Sequence, residues 1–182
     1  MNHVMLDLET RGTLPGSVIL SIGAVKFDPV KLSARCIQET FYTVVSTVDS
    51  ARLGFTQSAS TREWWAQQSE AAREVLTAAD ASGVTVAAAL SGLTAFLGED
   101  AIVWSNGAAF DQPLLDVAYD RVGLPTPWKH WNGRCYRTMK CLCKNAKDME
   151  PVKVLAYNAL EDAKWQAKHL VTIARAMRIT LK

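Results

Sequence analysis

The sequence predicts an α/β fold in which a mixed sheet is flanked by helices. Three β-rich runs with short connections fill the first third of the 182-residue chain, which favours an antiparallel meander. Helical spacing then takes over, and one short apolar run, Ala101–Ser105, interrupts it as a buried strand. A long amphipathic helix closes the chain. A meander followed by alternating strands and helices is typical of an α/β domain.

The first β-rich run carries two acidic residues. In HVMLDLE, the side chains of Val4, Leu6 and Leu8 share one face of the predicted strand, whereas Asp7 and Glu9 lie on the other face. The second and third runs, SVILSIGAVKFD and CIQETFYTVV, follow after short connections and complete the meander.

Capping signals place the helices of the middle region. Ser60 followed by Glu63 in STREWWAQQ matches a capping box, so a short helix is predicted to begin there. TVAAALSGLTAFLG has helical apolar spacing, and Gly98 is its stop. AAFDQPLLDVAYDRVG, which starts at Ala108, is the next predicted helix, and Gly123 ends it.

The last predicted helix is the longest. Asn158 and Glu161 resemble an N-cap and its partner at the third helical position, so the helix should begin there. An apolar stripe predicts where it packs and how far it continues. The stripe consists of Ala159, Ala163, Ala167, Leu170, Ala174 and Met177.

Composition limits the classes of protein. With 182 residues, of which 49% are hydrophobic, we expect one domain over residues 1–182. A net charge of +2 neither demands nor excludes a polyanionic partner. No apolar run approaches the ~18–20 residues that span a bilayer, and we see no secretion signal. The four cysteines form no CxxC pair, so we expect reduced thiols and a cytoplasmic protein without membrane association.

The pair Asp7 and Glu9 predicts a metal site. Side chains two residues apart on a strand lie roughly 7 Å apart, and carboxylates at that distance repel unless a cation lies between them. An edge strand with two solvated acids is the alternative, but the apolar opposite face argues against it. Carboxylate oxygens suit hard ions such as Mg²⁺ and Mn²⁺, and no cysteine or histidine cluster offers a softer site.

Two further aspartates complete an acidic set. Asp111 follows the short strand AIVWS where a helix begins, a position that often carries sites in α/β folds. Asp162 lies in the first turns of the last helix. Each aspartate alone is also explained by its preference for helix N-termini. Together with Asp7 and Glu9, however, the two predict a centre for phosphate chemistry.

The motifs that carry these acids resemble those of a known superfamily. DLET, SNGAAFD and YNALEDA occur in the order of the three motifs of the DEDD superfamily of 3′–5′ exonucleases. These DnaQ-like enzymes have a ribonuclease H-like fold, so the resemblance implies a five-stranded mixed sheet with a meander followed by parallel strands. The segment TREWWAQQS looks most like the subgroup that includes phage and prophage exonucleases and a mycobacterial 3′–5′ exoribonuclease.

The resemblance implies a two-metal exonuclease. Asp7, Glu9, Asp111 and Asp162 would bind two Mg²⁺ or Mn²⁺ ions, typically ~3.5–4 Å apart, one activating a water and the other steadying the leaving 3′-oxygen. Single-stranded or 3′-ended DNA or RNA would be degraded from the 3′ end to 5′-mononucleotides. The choice between DNA and RNA stays open, and a homodimer is compatible with the family.

The family's usual histidine is missing. It precedes the last aspartate by five positions, where this chain has Tyr157; a sister subgroup has a tyrosine four positions before it, where this chain has Asn158. An imidazole, with an ordinary pKa near ~6.5, accepts a proton at neutral pH, whereas a phenol, near ~10, stays protonated. Tyr157 is a candidate catalytic residue that orients a metal-bound water, and a structural aromatic residue is the alternative.

The terminal nucleotide is expected beside the first motif. The resemblance places it against the backbone around Glu9, with Thr10 in reach of the 3′-hydroxyl. Trp64 and Trp65 point about 100° apart on a helix, so either one stacks on a base or both belong to the core. The candidate substrate-binding residues are Leu8, Thr10, Arg11, Trp65, Asn106 and Phe110.

Three basic residues are candidate contacts for nucleic acid. Arg134, Arg137 and Lys140 could bind phosphates, and a solvated basic face is the alternative. One other function left open is a nucleic-acid-binding module that kept the fold and lost efficient catalysis, which Tyr157 supports. The other is a nuclease specific for short oligonucleotides.

Overall fold

A computed structural model shows a five-stranded sheet with helices on both faces. It describes residues 2–107, 109–152 and 157–182. The strands are β1 (His3–Thr10), β2 (Ile19–Phe27), β3 (Ile37–Val44), β4 (Ile102–Ser105) and β5 (Gly133–Cys135). The α-helices of the described residues are α1 (Thr47–Arg52), α2 (Ala59–Ala66), α3 (Glu70–Ala81), α4 (Val86–Leu97), α5 (Asp111–Arg121), α6 (Tyr136–Leu142) and α7 (Ala159–Ala176). None of these helices is long and apolar enough to cross a membrane.

Strand β1 lies at the centre of the sheet. The strand order is β3-β2-β1-β4-β5, in which β1, β2 and β3 form the antiparallel meander and β4 and β5 run parallel to β1. This confirms the predicted mixed sheet. The alternative of an edge strand with solvated acids is wrong, because β1 lies between β2 and β4 and the Glu9 side chain is buried.

Different helices cover the two faces of the sheet. On one face, Val4, Leu6 and Leu8 pack with apolar side chains of α2, α3, α4 and α5. On the other face, Met5 packs with side chains of α6 and α7. The two predicted faces of β1 are therefore confirmed, and by alternation Asp7 points to the side covered by α7.

Gly23 allows α7 to lie directly on the sheet. In the ladder between β1 and β2, Gly23 is the partner of Asp7. A Cβ atom at Gly23 would lie 2.2 Å from the carbonyl carbon of Ala159, the first residue of α7. Because no side chain fits there, the glycine sets the distance between the helix and the sheet. Asp162 is thereby brought to the end of β1.

The predicted C-terminal ends of α4 and α5 and the predicted N-cap of α7 are confirmed. Asn158 accepts hydrogen bonds from two backbone N–H groups in the first turn of α7, as expected of an N-cap. Gly98 and Gly123 follow α4 and α5 in the left-handed conformation, with φ of 66° and 68°. The predicted start of α5 is too early: the helix begins at Asp111, and Ala109 and Phe110 form a turn before it, while Ala108 lies outside the described residues.

The predicted start of α2 is wrong. Ser58 rather than Ser60 is the N-cap, because the Ser58 hydroxyl accepts the Thr61 N–H at 3.4 Å. Ser60 lies inside the helix, and its hydroxyl is 2.7 Å from that of Ser58. The prediction also missed α1, α3, α6 and the short strand β5.

We expect Gly23→Ala to destabilise the protein and to disturb the predicted metal site. The added methyl group would push α7 off β2, and overpacking of this kind costs about 1–3 kcal/mol. Because Asp162 moves with α7, the gain in Tm on addition of Mn²⁺ should also shrink. Thermal unfolding with and without Mn²⁺ measures both effects. Gly92→Ala, in α4, is the control for the Mn²⁺ response, and an unchanged response in Gly23→Ala would contradict this role of the glycine.

Candidate active site

Strand β1 and helix α7 bring three carboxylates together. Asp7 and Glu9 are near the end of β1, and Asp162 is in the first turn of α7. Carboxylate oxygens of all three residues lie within 4.8 Å of one another. Glu9 and Asp162 are buried, and Asp7 is half-buried. Because β1 pairs with β4 only over residues 3–5, the acids lie where these two strands separate.

Asp111 lies beside this cluster, as the first residue of α5. Only 2% of its surface is exposed, and burial raises the pKa of its carboxyl to about 7. Hydrogen bonds from the backbone of Asp111 itself and of Leu8, the charge of Arg137 and the Ser105 hydroxyl oppose this rise in pKa. The structure thus gathers all four predicted acids, with Asp111 outside the tightest group.

The gathered charges favour a bound cation. Burial, followed by the charges of Asp111, Glu9 and Asp162, raises the pKa of the Asp7 carboxyl well above its ordinary range. A divalent ion among these oxygens would offset that repulsion. All the donors are carboxylate oxygens, which hard ions prefer. The residues present therefore fit the predicted Mg²⁺ or Mn²⁺.

Gln166 is a candidate functional residue that the sequence prediction missed. Its Nε2 donates to Asp7 Oδ1 at 2.7 Å, which holds that carboxylate in one orientation. Its Oε1 is buried and has no hydrogen-bond partner within the part of the chain that the structure describes. A buried acceptor without a partner beside an acidic cluster fits a metal-bound water. The sequence spacing could have indicated Gln166, because it lies four residues, about one turn, after Asp162 on the same face of α7.

Tyr157 contacts the acidic cluster through its backbone. Its N–H donates to Asp162 Oδ2 at 3.1 Å. Its ring packs edge-on against Trp64 and Trp65, with centroid distances of 5.0 and 6.4 Å. The φ of 62° is rare for a residue other than glycine, and such conformations are often retained at functional sites. The backbone of Tyr157 therefore orients Asp162, while the side chain packs against α2.

A pocket of about 430 Å³ opens beside Glu9. Of the predicted substrate-binding residues, Leu8, Thr10 and Phe110 line it together with Trp65. Its remaining walls are Thr13, Ser60, Thr61 and Trp64. Aromatic surfaces and hydroxyl groups in one cleft suit a ligand that has a flat ring and a polar sugar.

Of the adjacent pair Trp64 and Trp65, Trp64 is the more accessible side chain. Trp65 is 2% exposed, and its Nε1 donates to the Thr10 carbonyl at 2.9 Å. Trp64 is 40% exposed and lines the same pocket. Of the alternatives left open for this pair, Trp65, a candidate substrate-binding residue, belongs to the core and holds the end of β1, whereas Trp64 offers an aromatic surface for stacking.

Arg11 and Asn106, the other two predicted substrate-binding residues, do not line the pocket beside Glu9. The Arg11 Nη2 donates to both carboxylate oxygens of Asp80, at 2.9 and 2.8 Å, so the side chain turns towards α3. The Asn106 carbonyl accepts a hydrogen bond from Arg137 at 2.9 Å. Among the described residues, neither belongs to the lining of the pocket beside Glu9. The Thr10 hydroxyl, expected near a 3′-hydroxyl, donates to the Gly12 carbonyl at 2.7 Å.

Solved nuclease structures share this fold. The nuclease domain of 3′hExo, a DEDDh family member solved bound to rAMP, aligns with a TM-score of 0.61 over 96% of this chain and 92% of that chain, at 11% identity. Cell-death related nuclease 4 (CRN-4) aligns with a TM-score of 0.53 over 96% of this chain and 64% of that chain, at 14% identity. At these identities the likeness shows the ribonuclease H-like fold alone. No curated protein matches the sequence.

The family match, the ribonuclease H-like fold and the acidic cluster are together consistent with a nuclease of the DEDD superfamily. Residues 2–174 match the family described as the 3′-5′ exoribonuclease Rv2179c-like domain, and the chain belongs to this family. The resemblance carried by DLET, SNGAAFD and YNALEDA is thereby confirmed, and so is the predicted fold class.

Asp7→Asn should stabilise the metal-free protein and remove its response to metal. The substitution relieves repulsion among buried acids and keeps an acceptor for Gln166, so we expect a higher Tm in EDTA. For the wild type, Mn²⁺ at about 100 times its Kd should add about 2.7 kcal/mol to the free energy of unfolding, and the variant should lose most of this gain. Thermal unfolding in EDTA and in Mn²⁺ is the measurement. Asp120→Asn, on the exposed side of α5, is the control; the same Mn²⁺ gain in all three proteins would exclude a metal site at Asp7.

Proposed function

We propose that residues 1–182 form a metal-dependent exonuclease that hydrolyses single-stranded or 3′-ended nucleic acid from the 3′ end and releases 5′-mononucleotides. One observation carries the proposal: the cluster of Asp7, Glu9 and Asp162 borders a pocket of about 430 Å³, and Glu9 belongs to both. A phosphodiester held at the acids could therefore have its terminal nucleoside in the pocket. The family's description supports the direction of degradation.

Two Mg²⁺ or Mn²⁺ ions are proposed at the acidic site, with the ligands Asp7, Glu9, Asp111 and Asp162. When bound, ions of this kind supply an activated water and neutralise the charge that develops on the phosphate. The protein's part is to hold the oxygens still. Gln166 orients Asp7, and the Tyr157 N–H orients Asp162. Ligands that are fixed in advance need little rearrangement during the reaction.

The pocket is proposed to bind the terminal nucleotide without sequence preference. Trp64 would stack on its base, and stacking of this kind accepts every base. Phe110 and the β1 residues Leu8 and Thr10 line the same pocket. The family's description favours RNA, but the choice between RNA and DNA depends on contacts to the 2′-hydroxyl. Both nucleic acids are therefore proposed substrates.

The proposed site of action is the cytoplasm. Among the described residues, no cysteine forms a disulfide, which agrees with a reducing compartment. A homodimer, which is compatible with the family, stays a prediction.

Labelled strands test the proposed direction and metal requirement. With Mg²⁺ or Mn²⁺, a 5′-labelled strand should give a descending ladder, and a 3′-labelled strand should release its label first as a mononucleotide. Asp7→Asn and Asp111→Asn should each lower the rate at least about 100-fold, because loss of a ligand should exceed the effect of its supporting groups. RNA and DNA of one sequence, with Asp120→Asn as control, complete the series. Activity that persists in EDTA, or cleavage at internal positions, would refute the proposal.

Tyr157→His should raise turnover at neutral pH. The chain lacks an imidazole where the family usually has one, and a φ of 62° suits histidine better than most residues. Because a general base contributes roughly 10²–10⁴-fold, we expect a gain of at least about tenfold at pH 7 and a smaller gain at alkaline pH. Tyr157→Phe, which keeps the ring, is the control. Equal turnover of Tyr157→His and the wild type at pH 7 would show that this position does not limit proton removal.

A nucleic-acid-binding module is the second candidate. The observation in its favour is Tyr157 at the position of the usual histidine, together with an acidic cluster that contains no histidine among the described residues. Binding without degradation, at any pH and with either metal, would favour this module. A nuclease for short oligonucleotides is the other alternative, and turnover on two-nucleotide and twenty-nucleotide substrates separates it from the general exonuclease.

A further inference from the structure

Arg137 places a positive charge at the edge of the acidic site. It lies in α6, is exposed, and its Nη2 donates to the Asn106 carbonyl at 2.9 Å. A guanidinium has five N–H donors, so this contact leaves most of them available. Within the described part of the chain, no carboxylate lies at ion-pair distance from it. The side chain is therefore held in place at the edge of the acidic site without an ion pair among the described residues.

Arg137 reaches the acidic site on the side of Asp111. Its charge lowers the pKa of the Asp111 carboxyl, against the larger effect of burial. A Cβ atom at Gly107, in the loop between β4 and α5, would lie 3.8 Å from the Arg137 Cζ. The guanidinium thus packs on the loop that leads to Asp111.

The pocket beside Glu9 meets the acidic site on a different side from Asp111 and Arg137. The pocket contacts the acids at Glu9, and its wall α2 belongs to the helical layer on the face of Val4 and Leu6. Helix α6, which carries Arg137, belongs with α7 to the layer on the opposite face. The acids lie between these two features.

The other two predicted phosphate contacts are occupied within the protein. The Arg134 Nη1 donates to the carbonyls of Trp131 and Gly133, at 2.7 and 3.0 Å. The Lys140 ammonium lies 3.8 Å from a Glu150 carboxylate oxygen and 5.5 Å from the centre of the Tyr136 ring. Of the three basic candidates, Arg137 is the one that contacts the loop leading to Asp111.

We infer that Arg137 binds the phosphodiester on the 5′ side of the scissile one, and that the nuclease therefore favours substrates of three or more nucleotides over dinucleotides. This inference rests on the proposed function. With the terminal nucleoside beside Glu9 and the scissile phosphate at the acids, the rest of the strand leaves past Asp111 and Arg137. A dinucleotide has only the scissile phosphodiester, whereas a trinucleotide has one more. Arginine matches phosphate oxygens with two parallel N–H groups.

The test compares dinucleotide and trinucleotide substrates with free 5′-hydroxyls. Arg137→Gln should lower kcat/KM for the trinucleotide about tenfold or more, as expected for a lost charge-assisted hydrogen bond, and should leave the dinucleotide within about threefold. The salt dependence of log KM for longer single strands should become shallower by about 0.7, the value for one phosphate contact. Arg137→Lys should recover part of the loss. Arg35→Gln is the matched control, because Arg35 lies in the connection between β2 and β3, at the other end of the sheet from Glu9.

A binding experiment keeps this inference separate from the proposed function. Uncleavable phosphorothioate dinucleotides and trinucleotides, measured with Ca²⁺ by fluorescence anisotropy, report the Arg137 contact even if no variant degrades any strand. Weaker binding of the trinucleotide alone in Arg137→Gln supports the inference. Equal losses for both lengths, or no loss beyond that of Arg35→Gln, overturn it. A Tm of Arg137→Gln equal to the wild-type value shows that the comparison reports binding and not folding.

Discussion

The site depends on one constraint: four acidic side chains are held together at the end of a largely buried strand. Like charges at short distance repel, so the surrounding structure must impose the arrangement. The contact of α7 with Gly23 imposes it from one side, and the junction between β4 and α5 imposes it at Asp111. At the proposed metal site, instability without metal and affinity for metal would therefore be two results of the same packing, a common relation between stability and function.

The acidic side chains keep their hydrogen-bonded support although the histidine that is usual in the family is absent. The hydrogen bond from Tyr157 to Asp162 comes from the backbone, so it does not depend on which side chain stands at that position. Gln166 supports Asp7 independently. In the proposed mechanism, Tyr157 in place of the usual histidine would alter proton transfer, whereas the carboxylates keep their support; the Tyr157 ring packs against Trp64. This separation is why metal binding and turnover are expected to respond differently to substitutions at Tyr157.

Local signals predicted the parts of the fold in which periodicity and capping agree, such as β1 and α7. The four acids were predictable because motifs on well-defined elements carry them. Features that depend on tertiary contacts could not be predicted from local sequence signals. The start of α2 is decided by the hydrogen bond from the Ser58 N–H to the Arg11 carbonyl, and the burial of Trp65 by its bond to Thr10. Helix α6 escaped prediction because its N-cap is Cys135, whose sulfur is an uncommon capping group.

Anomalous diffraction from crystals grown with Mn²⁺ would show directly whether the four acids hold metal ions. We expect two Mn²⁺ peaks, about 3.5–4 Å apart, among the carboxylate oxygens of Asp7, Glu9, Asp111 and Asp162. One or both ions should have a water ligand in reach of Gln166 Oε1. Carboxylates that point away from one another, with no anomalous peak among them, would contradict the metal site and the nuclease mechanism built on it.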